Sequence, residues 1–218
     1  MPKPLIIAID GPGAVGKSVI GNLLAQRLGY RFLDTGAMYR ALTLLALERG
    51  VDLGDEKALE ELAVASDIEL ASLTVLVAGR DVTLDIRHEG VEKGVSLVAK
   101  AGGVRRTLVA KQRQMAQGGG VVMAGRDIGT VVLPQAELKL YLAASPEERA
   151  RRRYLELVQR GEEANYEQVL AELKRRDKID SERELAPLQP APDARIINTD
   201  GLDIEGVLAE IMAIIGGW

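Results

Sequence analysis

The sequence contains no cysteine and only one histidine, His88. Because these two residue types are nearly absent, disulfides, redox dithiols, Cys/His zinc sites and Cys–His nucleophilic pairs are excluded. Long hydrophobic runs are also missing. No stretch approaches the length of a membrane span, and the opening MPKPLIIAIDGP has too short an apolar run for a secretory signal. We therefore expect a cytoplasmic protein that makes no contact with a membrane.

The sequence also lacks an excess of positive charge. The net charge is −4 over 218 residues, whereas binding to nucleic acid or to a membrane surface usually needs a basic excess. We therefore expect small-molecule partners and no nucleic acid. At this length we expect a single domain, residues 1–218. Separately from the length, we expect a monomer. The 19 arginines outnumber the 9 lysines, which suits anionic substrates but is equally typical of a GC-rich or thermophilic source.

Apolar runs bounded by glycine and proline predict an alternation of strands and helices. A continuous apolar run at residues 5–10 closes at Gly11-Pro12, as expected of a strand buried on both faces. Further predicted strands are 30–34, 121–124, 138–143 and 194–198, and the predicted helices are 16–28, 36–48, 104–116, 146–159, 166–176 and 204–215. This alternation predicts an α/β fold with a mostly parallel sheet flanked by helices.

Two segments interrupt this alternation. Residues 73–85 alternate like a hairpin that turns at 78–81, which predicts a small inserted subdomain at about 65–100. The second segment, 147–160, is rich in arginine: it carries Arg149, Arg151, Arg152, Arg153 and Arg160. This segment is either an ordinary solvated helix or a mobile lid, at about 147–165, that carries cations to a phosphate site.

The strongest motif is a phosphate-binding loop, or P-loop, between the first strand and the first helix. Residues 11–18 read G-P-G-A-V-G-K-S and fit the pattern G-x-x-x-x-G-K-[ST]. Backbone N–H groups of such a loop surround phosphates at the positive end of a helix, while Lys17 reaches the β and γ oxygens and Ser18 offers a hydroxyl to Mg²⁺. The residues predicted to bind the donor ATP are Gly11, Pro12, Gly13, Ala14, Val15, Gly16, Lys17, Ser18 and Val19.

Two further blocks resemble a known family. Residues 34–40, D-T-G-A-M-Y-R, resemble the D-[ST]-G-A-x-Y-R signature of bacterial cytidylate kinases, and residues 125–130, G-R-D-I-G-T, resemble the D-G-R-D-x-G-T block of the same enzymes. One departure is Ala124, which stands where many members have the first Asp of that block. The resemblance covers nearly the whole chain. It implies a P-loop nucleoside monophosphate kinase that has a P-loop NTPase-like sheet, an inserted subdomain for the monophosphate and a helical lid.

The same resemblance implies an acceptor site of nine residues: Thr35, Arg40, Ser96, Arg105, Arg126, Asp127, Arg176, Asp180 and Arg183. In the family, the residues matching Thr35 and Arg40 hold the monophosphate. Those matching Ser96, Arg105 and Asp127 read the cytosine ring. The three other arginines surround the accepted phosphate and the transferring group, and the residue matching Asp180 faces the sugar.

The chemistry of the base agrees with this assignment. Cytosine presents an N4 amino donor, and a carboxylate such as that of Asp127 is the side chain that accepts from it. The alternative is that Asp127 only pairs with Arg126, because Asp–Arg pairs are common.

The implied reaction is transfer of the γ-phosphoryl group of ATP to CMP or dCMP. Such transfer needs positioning and charge neutralisation, and the acceptor phosphate is already ionised at neutral pH, so no general base is required. The predicted catalytic cations are Lys17, Arg126, Arg149 and Arg153, the last two because positions four apart share a helix face. Arg152 is a further candidate cation of the lid, which this spacing does not select. Mg²⁺ would bind Ser18, and Asp10 and Asp34 are both possible carboxylates near it.

Two other functions remain open from the sequence. A related kinase could act on AMP, UMP or a hydroxylated metabolite. A non-catalytic ATP-binding module would need the P-loop alone, with no use for five further arginines: Arg40, Arg105, Arg126, Arg176 and Arg183.

Overall fold

A computed structural model describes residues 4–216, so residues 1–3 and 217–218 of the predicted domain lie outside the described residues. Its main sheet has five parallel strands in the order β2-β6-β1-β7-β8. These are β1 (Ile6–Asp10), β2 (Arg31–Asp34), β6 (Val121–Ala124), β7 (Leu138–Ala143) and β8 (Arg195–Asn198). The predicted α/β fold with a parallel sheet is confirmed. Two strands, β6 and β7, have the predicted bounds.

Helices cover both faces of this sheet. They are α1 (Lys17–Leu28), α2 (Thr35–Glu48), α3 (Glu56–Ala65), α4 (Glu89–Val98), α5 (Gly102–Met115), α6 (Pro146–Gln159), α7 (Tyr166–Glu182) and α8 (Ile204–Gly216). Two of them, α3 and α4, were not predicted, and α7 continues to Glu182 instead of ending at 176. Within residues 4–216, none of the helices combines the length and the apolar character that crossing a membrane requires.

A second, antiparallel sheet lies between α3 and α4 along the chain. It consists of β3 (Ile68–Ala71), β4 (Thr74–Val77) and β5 (Arg80–Asp81). The prediction of a single hairpin was therefore incomplete: the chain also turns at Ser72, which has a φ of 57°, before it turns at Ala78 and Gly79. This small sheet shares an apolar core with α2, α3, α4 and α5, apart from the core of the main sheet.

The carboxyl ends of the central strands place the sequence motifs side by side. Asp34 at the end of β2 pairs in register with Ala124 at the end of β6, and Ile9 of β1 pairs with the same Ala124 from the other side. The P-loop after β1, the block after β2 and the block after β6 therefore meet at one edge of the sheet. Crevices at this edge are the usual ligand sites of open parallel sheets.

Candidate active site

The P-loop has the geometry of an anion site. Gly11 has a φ of 147°, and an added Cβ would overlap the carbonyl oxygen of Leu142, so only glycine fits there. Gly16, with a φ of 99°, precedes the first residue of α1, and no side chain caps that helix end. The first amides of α1 are therefore left for a ligand, at the end of the helix that favours negative charge.

Lys17 and Ser18 begin α1 at this loop. The Lys17 ammonium is buried and donates to the carbonyl oxygens of Gly11, at 2.7 Å, and Pro12, at 2.6 Å. Burial, followed by the positive charge of Arg126, lowers the pKa of Lys17, so a bound phosphate would relieve an unfavourable environment. The Val19 side chain is exposed, so its predicted part in donor binding could come only from the backbone.

The two carboxylates considered for the neighbourhood of a magnesium ion have different partners. Asp34 accepts a hydrogen bond of 2.7 Å from the Ser18 hydroxyl. Asp10 instead accepts from the backbone N–H groups of Ile128 and Gly129, both at 2.7 Å. It thus holds the π-helical turn Ile128–Val132, which begins within the block after β6. Among residues 4–216, no group of three or more His, Asp or Glu side chains is arranged to hold a metal ion.

Asp10 gives a pH-dependent prediction for the ligand-free protein. Burial raises the pKa of Asp10 from 3.8 to about 6, against the two backbone hydrogen bonds. The folded state therefore keeps this proton where the unfolded state has lost it. The resulting stabilisation is complete below about pH 4 and is lost as the pH rises through about 6. Melting temperatures of the parent and Asp10→Asn should differ more in favour of the parent at pH 4.5 than at pH 7. A constant difference would mean that the pKa of Asp10 is not raised.

Side chains of the block after β2 already have hydrogen-bond partners within the protein. Asp34 caps α2 by accepting from the Ala37 amide, and the Thr35 hydroxyl donates to the Ala124 carbonyl at 2.9 Å. The Thr35 hydroxyl must therefore turn away from Ala124 to donate to a phosphate. Arg40 lies 3.5 Å from Asp34, and its buried Nε has no partner among the described residues.

The block after β6 carries a buried ion pair. Asp127 accepts a short hydrogen bond from Arg105, with both side chains less than a tenth exposed, and lies 3.9 Å from the Arg183 guanidinium. The Arg105 guanidinium also lies over the ring of Tyr39, at 5.9 Å from its centroid. The alternative that Asp127 pairs with Arg126 is wrong. Arg126 donates from Nε to Asp180 at 2.9 Å.

Three predicted acceptor residues remain: Ser96, Arg176 and Arg183. Ser96 is buried on α4. Arg183 donates to the Ala186 carbonyl at 2.6 Å and lies between Asp127 and Asp180, so it belongs to the buried ion-pair cluster. Arg176 donates to Glu92 of α4 at 2.9 Å. Arg126 and Arg183 therefore both reach Asp180, at 2.9 and 4.0 Å, whereas Arg176 bonds to Glu92.

The arginines of α6 reach the P-loop, but not in the predicted pair. Arg149 is buried and donates to the Gly13 carbonyl at 3.1 Å and with both Nη atoms to Asp177 of α7. Arg152, which the spacing argument did not select, contacts the Val15 carbonyl at 3.5 Å. Arg153 donates to Glu156 on its own helix at 2.9 Å. The cation that joins Arg149 at the loop is thus Arg152.

Asp177 is absent from the predicted site residues because the predicted helix ends at residue 176, whereas α7 continues to Glu182. The signal was present: Leu173, Asp177 and Asp180 are spaced by four and three residues, which places them on one face of a continued helix. In the structure these three are indeed the members of α7 that turn towards the P-loop and Arg126.

Comparison with known proteins decides the family. The family model described as cytidylate kinase matches residues 7–216. The chain belongs to the cytidylate kinase family. Cytidylate kinases of this family from Bacillus licheniformis and Geobacillus thermodenitrificans are 51% and 54% identical to it, each over 99% of this chain and 97% and 98% of their own length. That from Bacillus subtilis is 50% identical over 99% of this chain and 98% of its own length.

Solved structures outside the cytidylate kinase family share the fold. A shikimate kinase from Bacteroides thetaiotaomicron aligns with a TM-score of 0.52 at 12% identity, over 97% of this chain and 98% of that one. A gluconokinase from Sinorhizobium meliloti aligns with a TM-score of 0.52 at 14% identity, over 98% and 92%. At such identities the similarity supports the P-loop kinase fold and says nothing of the acceptor.

Proposed function

We propose that this protein transfers the γ-phosphoryl group of ATP to CMP or dCMP in a magnesium-dependent reaction. One observation supports this proposal above the others. Two adjacent residues of the block after β6, Arg126 and Asp127, connect the P-loop to a buried Asp–Arg pair. Arg126 lies beside the P-loop, where a side chain at Gly13 would come within 3.4 Å of its guanidinium. Its neighbour Asp127 is bonded to Arg105. One block thus faces the donor with a cation and the acceptor base with a carboxylate.

The residues at the start of α1 fit a magnesium ion. Ser18 and Asp34 offer a hydroxyl and a carboxylate oxygen 2.7 Å apart. Burial would raise the pKa of Asp34, but Arg40 and the Ser18 hydrogen bond outweigh it, and the pKa is lowered. An ionised carboxylate with a hydroxyl is the kind of oxygen set that Mg²⁺ uses alongside substrate phosphates and waters. The ion would neutralise charge on the donor phosphates.

The protein itself supplies positioning and positive charge. Lys17 would exchange its two loop carbonyls for the donor's phosphate oxygens, and Arg126 and Arg149 lie at the same loop to stabilise charge on the transferring group. The acceptor phosphate, ionised at neutral pH, needs only to be held in line with the donor. We assign this holding to Arg40 and Thr35, and the closing of the site against water to α6 and α7 as the lid.

The acceptor panel is the experiment that tests the proposal. CMP, dCMP, UMP, AMP, GMP and dTMP should be compared by coupled detection of ADP, with Mg²⁺ present and after its chelation. CMP and dCMP should give the highest kcat/KM, and chelation should abolish turnover. Preference for another acceptor would reassign the substrate. Tight ATP binding without turnover on any acceptor would make the protein a binding module.

We also propose a monomer acting in the cytoplasm, where ATP and CMP are available.

Replacing Asp127 by asparagine should reduce the preference for CMP over UMP. The carboxylate accepts from the N4 amino group of cytosine but opposes the O4 acceptor of uracil, whereas an amide can turn its NH₂ group towards O4. We expect the CMP/UMP ratio of kcat/KM to fall by at least about tenfold, which corresponds to roughly 1.4 kcal/mol. Most of the fall should come from poorer use of CMP.

Asp180→Asn is the matched control for that experiment. It also removes the charge of a buried aspartate paired with an arginine, but its partner is Arg126 beside the P-loop. It should lower kcat/KM for CMP and UMP by similar factors. If Asp127→Asn behaves like this control, Asp127 only positions Arg105 and Arg183, and base reading passes to Ser96 and Arg105.

A further inference from the structure

Glu92 contacts the proposed acceptor site although no motif includes it. It lies in the first turn of α4 and accepts a hydrogen bond of 2.9 Å from Nη1 of Arg176 on α7. Both side chains are largely covered: Glu92 is 25% exposed and Arg176 19%. The pair joins the helix that follows the small sheet to the helix that carries Asp177 and Asp180.

Three arginines from three different helices act on this one carboxylate. Burial would raise the pKa of Glu92, but the positive charges of Arg176 on α7, Arg40 on α2 and Arg153 on α6 outweigh it, and the pKa is lowered. Arg40 in addition has a buried Nε without a partner among the described residues. Arg176 in contact with the carboxylate, further arginines near enough to act on its charge, and a buried Arg40 Nε with donor capacity to spare are the chemistry of a phosphate-binding site.

We propose that Glu92 tunes the affinity for the acceptor: before the nucleotide binds, its carboxylate occupies the position of the acceptor's phosphate, and it competes with that phosphate for these arginines. The inference rests on the proposed function, because it concerns the same acceptor site. A dianionic phosphate has more charge and more acceptor oxygens than one carboxylate, so it displaces Glu92. A nucleoside without phosphate gains nothing at this position and leaves the Glu92–Arg176 pair intact.

The competition predicts in which direction the affinity for CMP changes when the charge of Glu92 is removed. In the parent, CMP must break the Glu92–Arg176 pair before Arg176 is free, so the carboxylate lowers the affinity for CMP. Glutamine has the same shape and no charge, and it leaves the arginines available. Removing the charge should therefore tighten CMP binding, whereas loss of an ordinary structural ion pair would weaken binding or leave it unchanged.

The test compares Glu92→Gln with Glu89→Gln as a matched control. Glu89 lies in the same first turn of α4, but it is 75% exposed and pairs with Lys93 on its own helix. Calorimetric titrations with CMP, cytidine and ATP should be made on the parent and both variants. Glu92→Gln should bind CMP at least about threefold more tightly, with cytidine and ATP within twofold of the parent, and its KM for CMP should fall while its KM for ATP stays the same. Glu89→Gln should match the parent in every titration.

Three results would contradict the inference. CMP affinity unchanged or weakened in Glu92→Gln would mean that the pair only fixes Arg176. An equal gain in cytidine affinity would mean that the effect does not depend on the phosphate. The same gain in CMP affinity in Glu89→Gln would mean that the effect comes only from the change in net charge. These outcomes are separate from the proposed function, which is tested on the parent alone: an enzyme that turns over CMP but shows no gain in Glu92→Gln loses only the role of Glu92.

Discussion

Replacing Lys17 by alanine is expected to lower kcat by about a hundredfold or more while the fold is kept. Lys17 is held at the start of α1 by two loop carbonyls, at 2.7 and 2.6 Å, with its ammonium buried beside Arg126. A cation in that position stabilises charge that develops on the transferring phosphoryl group more than charge already present on ATP. The loss should therefore appear in kcat, measured in steady state with saturating ATP and CMP.

Circular dichroism and a control lysine complete that experiment. Lys57 on α3 is 88% exposed and lies 3.9 Å from Glu61 on its own helix, so Lys57→Ala should leave kcat unchanged. Unchanged far-ultraviolet spectra for both variants would show that the fold is intact. Turnover of Lys17→Ala within tenfold of the parent would remove Lys17 from the mechanism.

Replacing Arg40 by alanine is expected to weaken CMP binding strongly and ATP binding little. Truncating one partner of a buried charged pair typically costs about 2–5 kcal/mol, which is a factor of roughly 30 or more in affinity. Arg40 lies one turn into α2 with a buried Nε that has no partner among the described residues, as expected of a donor kept for a ligand. Separate calorimetric titrations of CMP and ATP measure the asymmetry.

Arg49 supplies the control for Arg40. It is an exposed arginine at the other end of α2, so Arg49→Ala removes the same charge from the same helix without touching the site. Both of its affinities should stay within about twofold of the parent. If Arg40→Ala instead loses CMP and ATP affinity equally, Arg40 serves the donor site or the fold.

The main sheet could be predicted from sequence because each of its strands contains a short apolar run. β6 is an entirely apolar and fully buried strand that ends before Gly125, and β7 is mostly buried and, apart from Lys139, apolar in its sequence. The P-loop was equally readable, since its pattern demands glycines and Lys17 at fixed spacing. Short helices were harder: α3 and α4 have ten residues each, of which three and five are buried.

The pairing of charged side chains could not be predicted from sequence. Asp127 has Arg126 as its immediate neighbour, yet it bonds to Arg105, 22 residues away, and Arg126 bonds to Asp180, 54 residues away. Arginine and aspartate pair with whichever partner the packing of distant elements brings within reach, and local sequence carries no record of that. The residue types of the site were therefore predictable, while their partners required the structure.

Three of the contacts of helix α7 lie close together along the chain, so their effects are coupled. Within five residues it bonds to α4 through Arg176, to Arg149 at the P-loop through Asp177 and to Arg126 through Asp180. An α-helix of this length shifts as a rigid body, so a displacement felt at one contact is transmitted to the other two. A substitution at any of these three contact residues should therefore change the kinetic constants of donor and acceptor together. Only double-mutant cycles, in which each partner is removed in turn, can apportion the effect between the two nucleotides.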